Sequence, residues 1–319
     1  MSMKTRLLIL TTLSLMASCK HEVFTPVESR ITPDPSNTYF AGEPVKFNIG
    51  GQADNILFYS GETGSQYRFR DRYSVSVEQV RSASLNLQYQ ARYGTAGALE
   101  VYVSNSFAGL KGDDGAADRA TMKALAEGGM KGWTKLSYEE GGSTVWTSQE
   151  YPMDGFLDNF TLAFHWCPST STATQRTYWI NGSVSLDMEG TEPSTMDIMD
   201  LDPIVVMMNE ELDPYHKNKG NGSVRFDNPS AASVCCQGVG ANALSYALDA
   251  WIVTRPSPLN RVANDKGTVI KNLQNYMDSF EYVYEVPGNY TATFVSVNSN
   301  YMGTSSQVQE FKFSIVDKI

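Results

Sequence analysis

The chain is poor in the residues that most often provide metal and nucleophilic chemistry. It has only 3 histidines and 4 cysteines in 319 residues, and no C-x-x-C pair occurs. A zinc site with the ligand spacing of zinc fingers is therefore not predicted. The G-x-S-x-G turn of serine hydrolases is missing, and no Ser, His and Asp constellation is suggested. We therefore predict that the protein is not an enzyme.

Positive charge is scarce as well. The formal net charge is -10, and the acidic residues are spread along the chain. Nucleic acids and anionic membrane surfaces are bound by basic patches, so we expect neither as a partner.

The first 19 residues have the pattern of a secretion signal that ends in a lipid-attachment motif. Lys4 and Arg6 precede an apolar stretch of about nine residues, which is too short to span a bilayer. The following Met16-Ala17-Ser18-Cys19 resembles a bacterial lipobox. This resemblance implies a signal peptide over residues 1–18, acylation of Cys19 and attachment to the outer membrane. The alternative is an ordinary cleaved signal that happens to contain a cysteine.

Residues 19–38 are predicted to form the acylated cysteine and a short polar stalk that contains several prolines. The acidic Glu22, close behind Cys19, resembles the surface-export signals of Bacteroidota lipoproteins. No second apolar run of membrane-spanning length follows. We therefore expect a protein that faces the cell surface and contacts the membrane through its anchor only.

Three cysteines lie beyond the signal: Cys167 and the neighbours Cys235 and Cys236. Disulfides are stable outside the cytoplasm. A bond from Cys167 to Cys235, or to its neighbour, would close a loop of about 70 residues and stabilise the fold by roughly 4 kcal/mol in the chain-entropy model. A bond between the two neighbours and free thiols are the alternatives.

Apolar and polar residues alternate in short runs from end to end of the chain, as in Leu85-Leu87-Tyr89 and Phe160-Leu162-Phe164. Clusters of Gly, Asn, Asp and Ser separate these runs, which is typical of short strands. One helix is predicted, from Ala117 or Asp118 to Glu127, because Gly128-Gly129 follows. Many short strands with one helix predict an all-β protein built of β-sandwiches.

The two ends of the chain resemble halves of one PKD-like immunoglobulin sandwich. Residues 41–58 resemble its opening strands and residues 279–316 its closing strands, and residues 284–291 (YEVPGNYT) match the family's Y-x-x-P-G-x-Y turn. Neither end alone has the seven or so strands that a sandwich needs. We therefore predict one discontinuous domain, formed by residues 39–72 plus 276–319.

The middle of the chain, residues 73–275, resembles an inserted galactose-binding-like jelly roll. The similarity lies in residues 99–107 (LEVYVSNSF), the short helix and residues 160–164 (FTLAF). The split arrangement resembles a family of Bacteroidota lipoproteins of unassigned function found beside Sus-like glycan-uptake systems. It implies a glycan or glycoprotein ligand, and outer-membrane Sus-like transporter components as partners.

Aromatic residues in predicted loops are the candidates for stacking against a sugar, and they are Trp133, Trp146 and Tyr151. The remaining tryptophans lie in apolar strand patterns and are predicted to be core residues; they are Trp166, Trp179 and Trp251.

The acidic loop 111–118 (KGDDGAAD) is a candidate calcium site, with Asp113, Asp114 and Asp118 as ligands. Calcium prefers six to eight oxygen ligands on a bent backbone, and structural calcium is also what the jelly-roll resemblance implies. A solvated loop without an ion is the alternative.

The leading functional hypothesis is a lipid-anchored cell-surface protein that binds a glycan or glycoprotein. A structural or adhesive lipoprotein with a protein partner is one alternative. A glycan-active enzyme whose acidic residues form no recognisable motif is the other.

Overall fold

The fold was obtained as a computed structural model, which describes residues 24–35, 38–168, 174–209, 222–226, 232–240 and 248–318. The chain divides into two compact units. Met1–Asp71 and Asn264–Ile319 form the terminal unit, and Arg72–Ala263 form the inserted unit. The predicted boundaries were 72/73 and 275/276, so the second one lies about twelve residues too late. The predicted signal peptide and Cys19 lie outside the described residues.

The terminal unit is a β-sandwich of a three-stranded and a five-stranded sheet. With strands numbered along the whole chain, the first sheet has the order β1-β3-β17 and the second β16-β4-β18-β19-β2. The strands are β1 (Glu28–Pro33), β2 (Thr38–Phe40), β3 (Pro44–Gln52), β4 (Asn55–Tyr59), β16 (Thr268–Lys271), β17 (Ser279–Val283), β18 (Gly288–Asn300) and β19 (Gly303–Val316).

This strand order is of the immunoglobulin type. The first segment contributes β1 to one sheet and then β2 to the other, where β2 runs parallel to the last strand, β19. All other pairs in the unit are antiparallel. The inserted unit interrupts the chain between the neighbouring strands β4 and β16. The prediction of an immunoglobulin-type sandwich built from both chain ends is therefore confirmed.

The core of the terminal unit joins residues from both ends of the chain. Phe294 of β18 packs against Phe47 of β3 and Phe58 of β4, with ring centroids 4.9 Å apart in each pair. All three rings are buried. Each contributes about 1.5–3 kcal/mol by burial alone, so neither end could hide its apolar face without the other.

The stalk predicted over residues 19–38 is shorter than expected. Glu28–Pro33 is the edge strand β1, and Ser29 and Ile31 point into the sandwich. The prolines suggested an extended linker, but Pro33 ends an edge strand, where the missing N–H costs no ladder hydrogen bond.

The inserted unit is a second β-sandwich, with 11 strands and one α-helix among its described residues. Its six-stranded sheet has the order β13-β14-β10-β5-β8, with β11 also paired to β10, and its five-stranded sheet the order β12-β15-β9-β6-β7. The strands are β5 (Val80–Arg92), β6 (Leu99–Ser104), β7 (Thr134–Leu136), β8 (Thr147–Pro152), β9 (Thr161–Trp166), β10 (Thr177–Met188), β11 (Ser194–Asp197), β12 (Ile204–Met207), β13 (Ser223–Arg225), β14 (Val234–Gln237) and β15 (Ala250–Val253).

The helix α1 (Gly115–Glu127) covers part of the outer side of the five-stranded sheet. Its buried Met122 packs in a small cluster with Trp251 and Tyr102 of that sheet. The predicted end at Glu127 is confirmed, and Gly129 follows it with a positive φ of 67°. Among the described residues, no helix is long and apolar enough to cross a membrane.

The corner between β17 and β18 is fixed by two tyrosine hydroxyls. Tyr290 donates to the carbonyl oxygen of Val286 at 2.7 Å, the arrangement of an immunoglobulin tyrosine corner. Tyr284 is fully buried and donates to the carbonyl oxygen of Ser60 at 2.8 Å, which links the late corner to the end of β4.

We predict that Tyr284→Phe lowers the free energy of unfolding of the terminal unit by about 1–2 kcal/mol, because the buried carbonyl of Ser60 loses this donor. Tyr290→Phe, at a more exposed hydroxyl, should cost less. Calorimetry measures both. The native tryptophan fluorescence is the control, since all five tryptophans lie in the inserted unit and their spectrum should not change. Equal stability of wild type and Tyr284→Phe would contradict the assigned role.

Candidate functional site

The outer face of the six-stranded sheet carries an unusual set of neutral polar side chains. Residues of β5 alternate strictly, so Leu85, Leu87 and Tyr89 are fully buried while the residues between them point outward. β10 pairs with β5 along its whole length and alternates in phase. We call the outward set the amide face; it comprises Ser84, Asn86, Gln88, Gln90, Trp179, Asn181, Ser183 and Ser185.

The side chains of the amide face are held by local hydrogen bonds. Asn86 donates through Nδ2 to the hydroxyls of Ser84 and Ser185, at 3.3 Å each. The Oδ1 of Asn181 accepts from the backbone N–H of Ser233 at 2.8 Å. A shallow depression of about 360 Å³ is lined by Asn86, Asn181 and Ser233, together with Gln88, Ser183 and the acidic Asp197.

Charged side chains lie at the margins of the amide face. Arg81 and Asp187 form an ion pair at 3.0 Å beyond one end of the paired strands. Arg92 lies at the other end, with its guanidinium carbon 5.3 Å from the ring centroid of Trp179. Asp197 of β11 is opposite Ser183. Glu150 of β8 is opposite Asn86 in the same way. The residues of the amide face itself are uncharged, and a carboxylate on each flanking strand lies beside them.

Trp179 corrects one of the sequence-based assignments. Trp166 and Trp251 are buried as predicted, but Trp179 is only half-buried and lies on the outer face opposite Gln90. Tyr178 and Ile180 on either side of it point into the core. Strict alternation therefore forces Trp179 outward, and that signal was already present in the sequence.

The three aromatic residues predicted to contact a ligand do not form one surface. Trp133 packs on Phe107 beneath the helix, with ring centroids 5.1 Å apart. Tyr151 lies in β8 rather than in a loop; its ring packs on the main core and its hydroxyl donates to the carbonyl oxygen of Ser137 at 2.7 Å. Half-buried Trp146 directly precedes β8. Extended by one residue, the β5–β8 register places Trp146 opposite Gln90, at the edge of the amide face.

The acidic loop that was predicted to bind calcium is organised by hydrogen bonds within the protein. Asp118 is buried, and its two carboxylate oxygens accept the backbone N–H groups of Lys111 and Gly112, each at 2.8 Å. Asp114 caps the helix by accepting from the N–H of Ala117 at 3.0 Å. N–H donors thus already bind the carboxylates of Asp114 and Asp118, and Asp118 closes the loop within the protein.

A second polar cluster lies on the outer face of the five-stranded sheet. His165 of β9 has Nε2 2.9 Å from Oδ1 of Asp249 and Nδ1 3.5 Å from Oε2 of Glu100. Cys167 lies just beyond β9, and its Sγ is within 4.8 Å of the ligand atoms of His165 and Asp249. Nitrogen, sulfur and oxygen donors therefore converge at one point.

The predicted disulfide between Cys167 and Cys235 does not form. Cys167 follows β9 of the five-stranded sheet, whereas Cys235 lies in β14 of the six-stranded sheet. Both are thiols, and so is the buried Cys236. The linear sequence gave no indication that the two segments belong to opposite sheets of the sandwich.

Comparisons with known proteins describe the chain only in part. Residues 18–124 match the family model described as a domain of unknown function, DUF5017. No curated protein matches the chain. No solved structure matches it either. The DUF5017 match includes β1 to β4 of the terminal unit together with β5, β6 and most of the helix of the inserted unit.

We predict that Asp118→Asn lowers the stability of the inserted unit by about 1–3 kcal/mol, because an amide cannot accept both buried N–H groups. Asp113→Asn, at an exposed carboxylate in the same loop, is the matched control and should be neutral. Thermal unfolding followed by tryptophan fluorescence measures both. Adding calcium should leave the wild-type melting temperature unchanged, and a clear rise would show that the loop binds the ion after all.

Proposed function

We propose that this protein is a lipid-anchored cell-surface protein that binds a neutral glycan on the amide face of its inserted unit. The observation that carries the proposal is the row of amide and hydroxyl groups beside half-buried Trp179, across the centre of a rigid sheet. A glycan presents hydroxyl groups that donate and accept hydrogen bonds, and amides offer the same two roles.

The residue types of the amide face are not the ones that best stabilise a β-sheet. Asparagine is depleted in strands, where β-branched and aromatic residues pack better, yet Asn86 and Asn181 lie in the middle of the two longest strands of the inserted unit. A solvated sheet face can also be made soluble by charges. A row of uncharged polar residues on the two central strands, with carboxylates only on the flanking strands, is consistent with selection for a neutral polar ligand.

The rigidity of the face favours binding. β5 and β10 are central strands paired on both sides, so their side chains keep fixed spacings of about 6.8 Å along a strand and 4.8 Å between strands. The stretch from Ser84 to Gln90 extends over roughly 20 Å, long enough for several sugar residues. A ligand that binds here therefore orders few protein groups, which limits the entropic cost.

Trp179 would supply an apolar platform at one end of this row. The ring is only half-buried, and Arg92 lies near it at 5.3 Å. Trp146, one residue beyond the β5–β8 ladder, would extend the aromatic surface past Gln90. Stacking on a ring of this kind contributes a few kcal/mol at most by buried area, and the amides would then determine which hydroxyl pattern is accepted.

The anchor is supported by one end of the terminal unit, which contains Phe24, the first described residue after Cys19. Phe24, Thr25, Tyr276 and Met277 are among the residues that line a cleft of about 450 Å³, and Asp54 and Lys271 are the charged residues of its lining. Tyr276 is 91% exposed and Tyr301 is 79% exposed at this end. Exposed tyrosines are typical of membrane interfaces. Cys19 is only five residues before Phe24, so an acyl chain on Cys19 would hold this end of the terminal unit within about 18 Å of a bilayer.

We predict that Trp179→Ala weakens glycan binding at least tenfold, equivalent to about 1.4 kcal/mol, and that Gln88→Ala weakens it less. Binding is measured by calorimetry, with the best ligand from a glycan array and the secreted Cys19→Ser chain. Tyr73→Ala removes another exposed aromatic of the inserted unit and serves as the control. The proposal fails if no glycan binds, or if the three variants bind alike; capture of a protein instead would favour the adhesive alternative.

We further predict that Cys19→Ser moves the protein from the membrane fraction to the soluble fraction, since stable anchoring needs the acyl chains on that cysteine. Detergent partitioning of the two proteins measures the change. Cys167→Ser removes a thiol from the inserted unit and should leave the protein in the membrane fraction. A Cys19→Ser protein that still partitions into detergent would contradict the anchor.

A further inference from the structure

We propose that His165, Cys167 and Asp249 bind one zinc ion on the outer face of the five-stranded sheet. This site is separate from the amide face, which lies on the other sheet, and the inference does not depend on the glycan proposal.

The backbone brings the three residues together. His165 and Cys167 are two apart at the end of β9, so they point to the same side. β15 pairs with β9 so that Ala250 is opposite Trp166, and the same register places Asp249 opposite Cys167. The imidazole, thiol and carboxylate ligand atoms all lie within 4.8 Å of one another.

The donor set and its spacing suit zinc. Zinc binds imidazole nitrogen and carboxylate oxygen at about 2.0–2.2 Å and thiolate sulfur at about 2.3 Å, usually as a tetrahedron. In a tetrahedron the nitrogen and oxygen would be about 3.3 Å apart, and Nε2 of His165 is 2.9 Å from Oδ1 of Asp249. Small side-chain movements would therefore admit the ion.

The imidazole of His165 has a carboxylate beside each ring nitrogen. Oε2 of Glu100 lies 3.5 Å from Nδ1 of His165, so a proton on Nδ1 would leave the lone pair of Nε2 for the ion. A carboxylate on the second nitrogen is the usual outer partner of a zinc-bound histidine. The ring also stacks on Trp251, with centroids 4.0 Å apart and planes at 4°. Tyr102 in turn donates to Glu100 at 2.8 Å.

The local charge favours a cation. Glu100 and Asp249 flank the histidine, and Lys135 is the cation paired with Glu100. Burial, with the charges of Asp249 and Glu100, raises the pKa of the Cys167 thiol; a bound zinc ion would reverse that effect, because a coordinating thiol is deprotonated. Cys167 is exposed, so the fourth coordination position would be open to water or to a ligand.

The experiment uses the full mature chain with zinc, and with cobalt as a coloured substitute. We expect one zinc per chain by calorimetry and a thiolate-to-cobalt charge-transfer band. Cys167→Ser and Asp249→Asn should abolish the band, and Glu100→Gln should weaken zinc binding about 10- to 100-fold through the outer partner of the histidine. His216→Ala removes another histidine and should change nothing.

A second measurement distinguishes the loss of zinc binding from the misfolding of a variant. Zinc should shield the exposed Cys167 from alkylation in the wild type, as measured by mass spectrometry, and His165→Asn should lose that protection while keeping the native tryptophan spectrum. The proposal is overturned if the wild type binds much less than one zinc, if the cobalt complex lacks the thiolate band, or if zinc leaves alkylation of Cys167 unchanged.

Discussion

The pairing of β5 with β10 is the constraint on which the rest of the inserted unit depends. The two strands pair residue by residue from Thr177 with Arg92 to Asp187 with Ser82. A slip by one residue would move Leu85, Leu87 and Tyr89 into solvent and bury the amides. Burying unpaired amides is costly, so the register has one acceptable value. The hydrophobic inner face therefore also determines the composition and position of the outer one.

A second constraint explains how the terminal unit tolerates an insertion of nearly 200 residues between neighbouring strands. The ends of the inserted unit are joined to each other: Ser74 and Arg261 form a bridge, and the N–H of Val75 donates to the carbonyl oxygen of Asn260 at 3.0 Å. The two ends of the inserted unit therefore lie side by side. Because the ends of the inserted unit are already held together, β4 and β16 pair without the entropic cost of closing a long flexible loop.

Much of this architecture could be predicted from local sequence, because alternation and turn residues are local signals. The strands, the helix end before Gly128-Gly129 and the corner around Tyr290 all follow from residues within a few positions of one another. The joining of the two chain ends also followed, since each end lacked enough strands to bury its apolar face.

The features that sequence reasoning missed depend on contacts between distant residues. His165 and Cys167 are neighbours in the sequence, but Asp249 reaches them only through the pairing of β9 with β15. The calcium hypothesis was based on carboxylates that are close in sequence, and the sequence did not predict that Asp118 accepts two backbone N–H groups. Trp179 is the exception, because alternation alone could have placed it outside. We assigned Trp179 to the core because its neighbours Tyr178 and Ile180 are apolar. Its position between two inward-pointing residues instead indicates an outward side chain.

The proposed glycan site on the amide face is tested most directly by mapping the surface of the inserted unit that a glycan contacts. The measurement is a titration with a glycan, followed by two-dimensional NMR of side-chain N–H groups. Asparagine, glutamine and tryptophan side chains all give signals in such spectra. We expect the signals of Asn86, Gln88, Asn181 and the Trp179 indole to shift while the buried indole of Trp166 stays in place. Shifts confined to other residues, with the amide-face signals unmoved, would contradict the account.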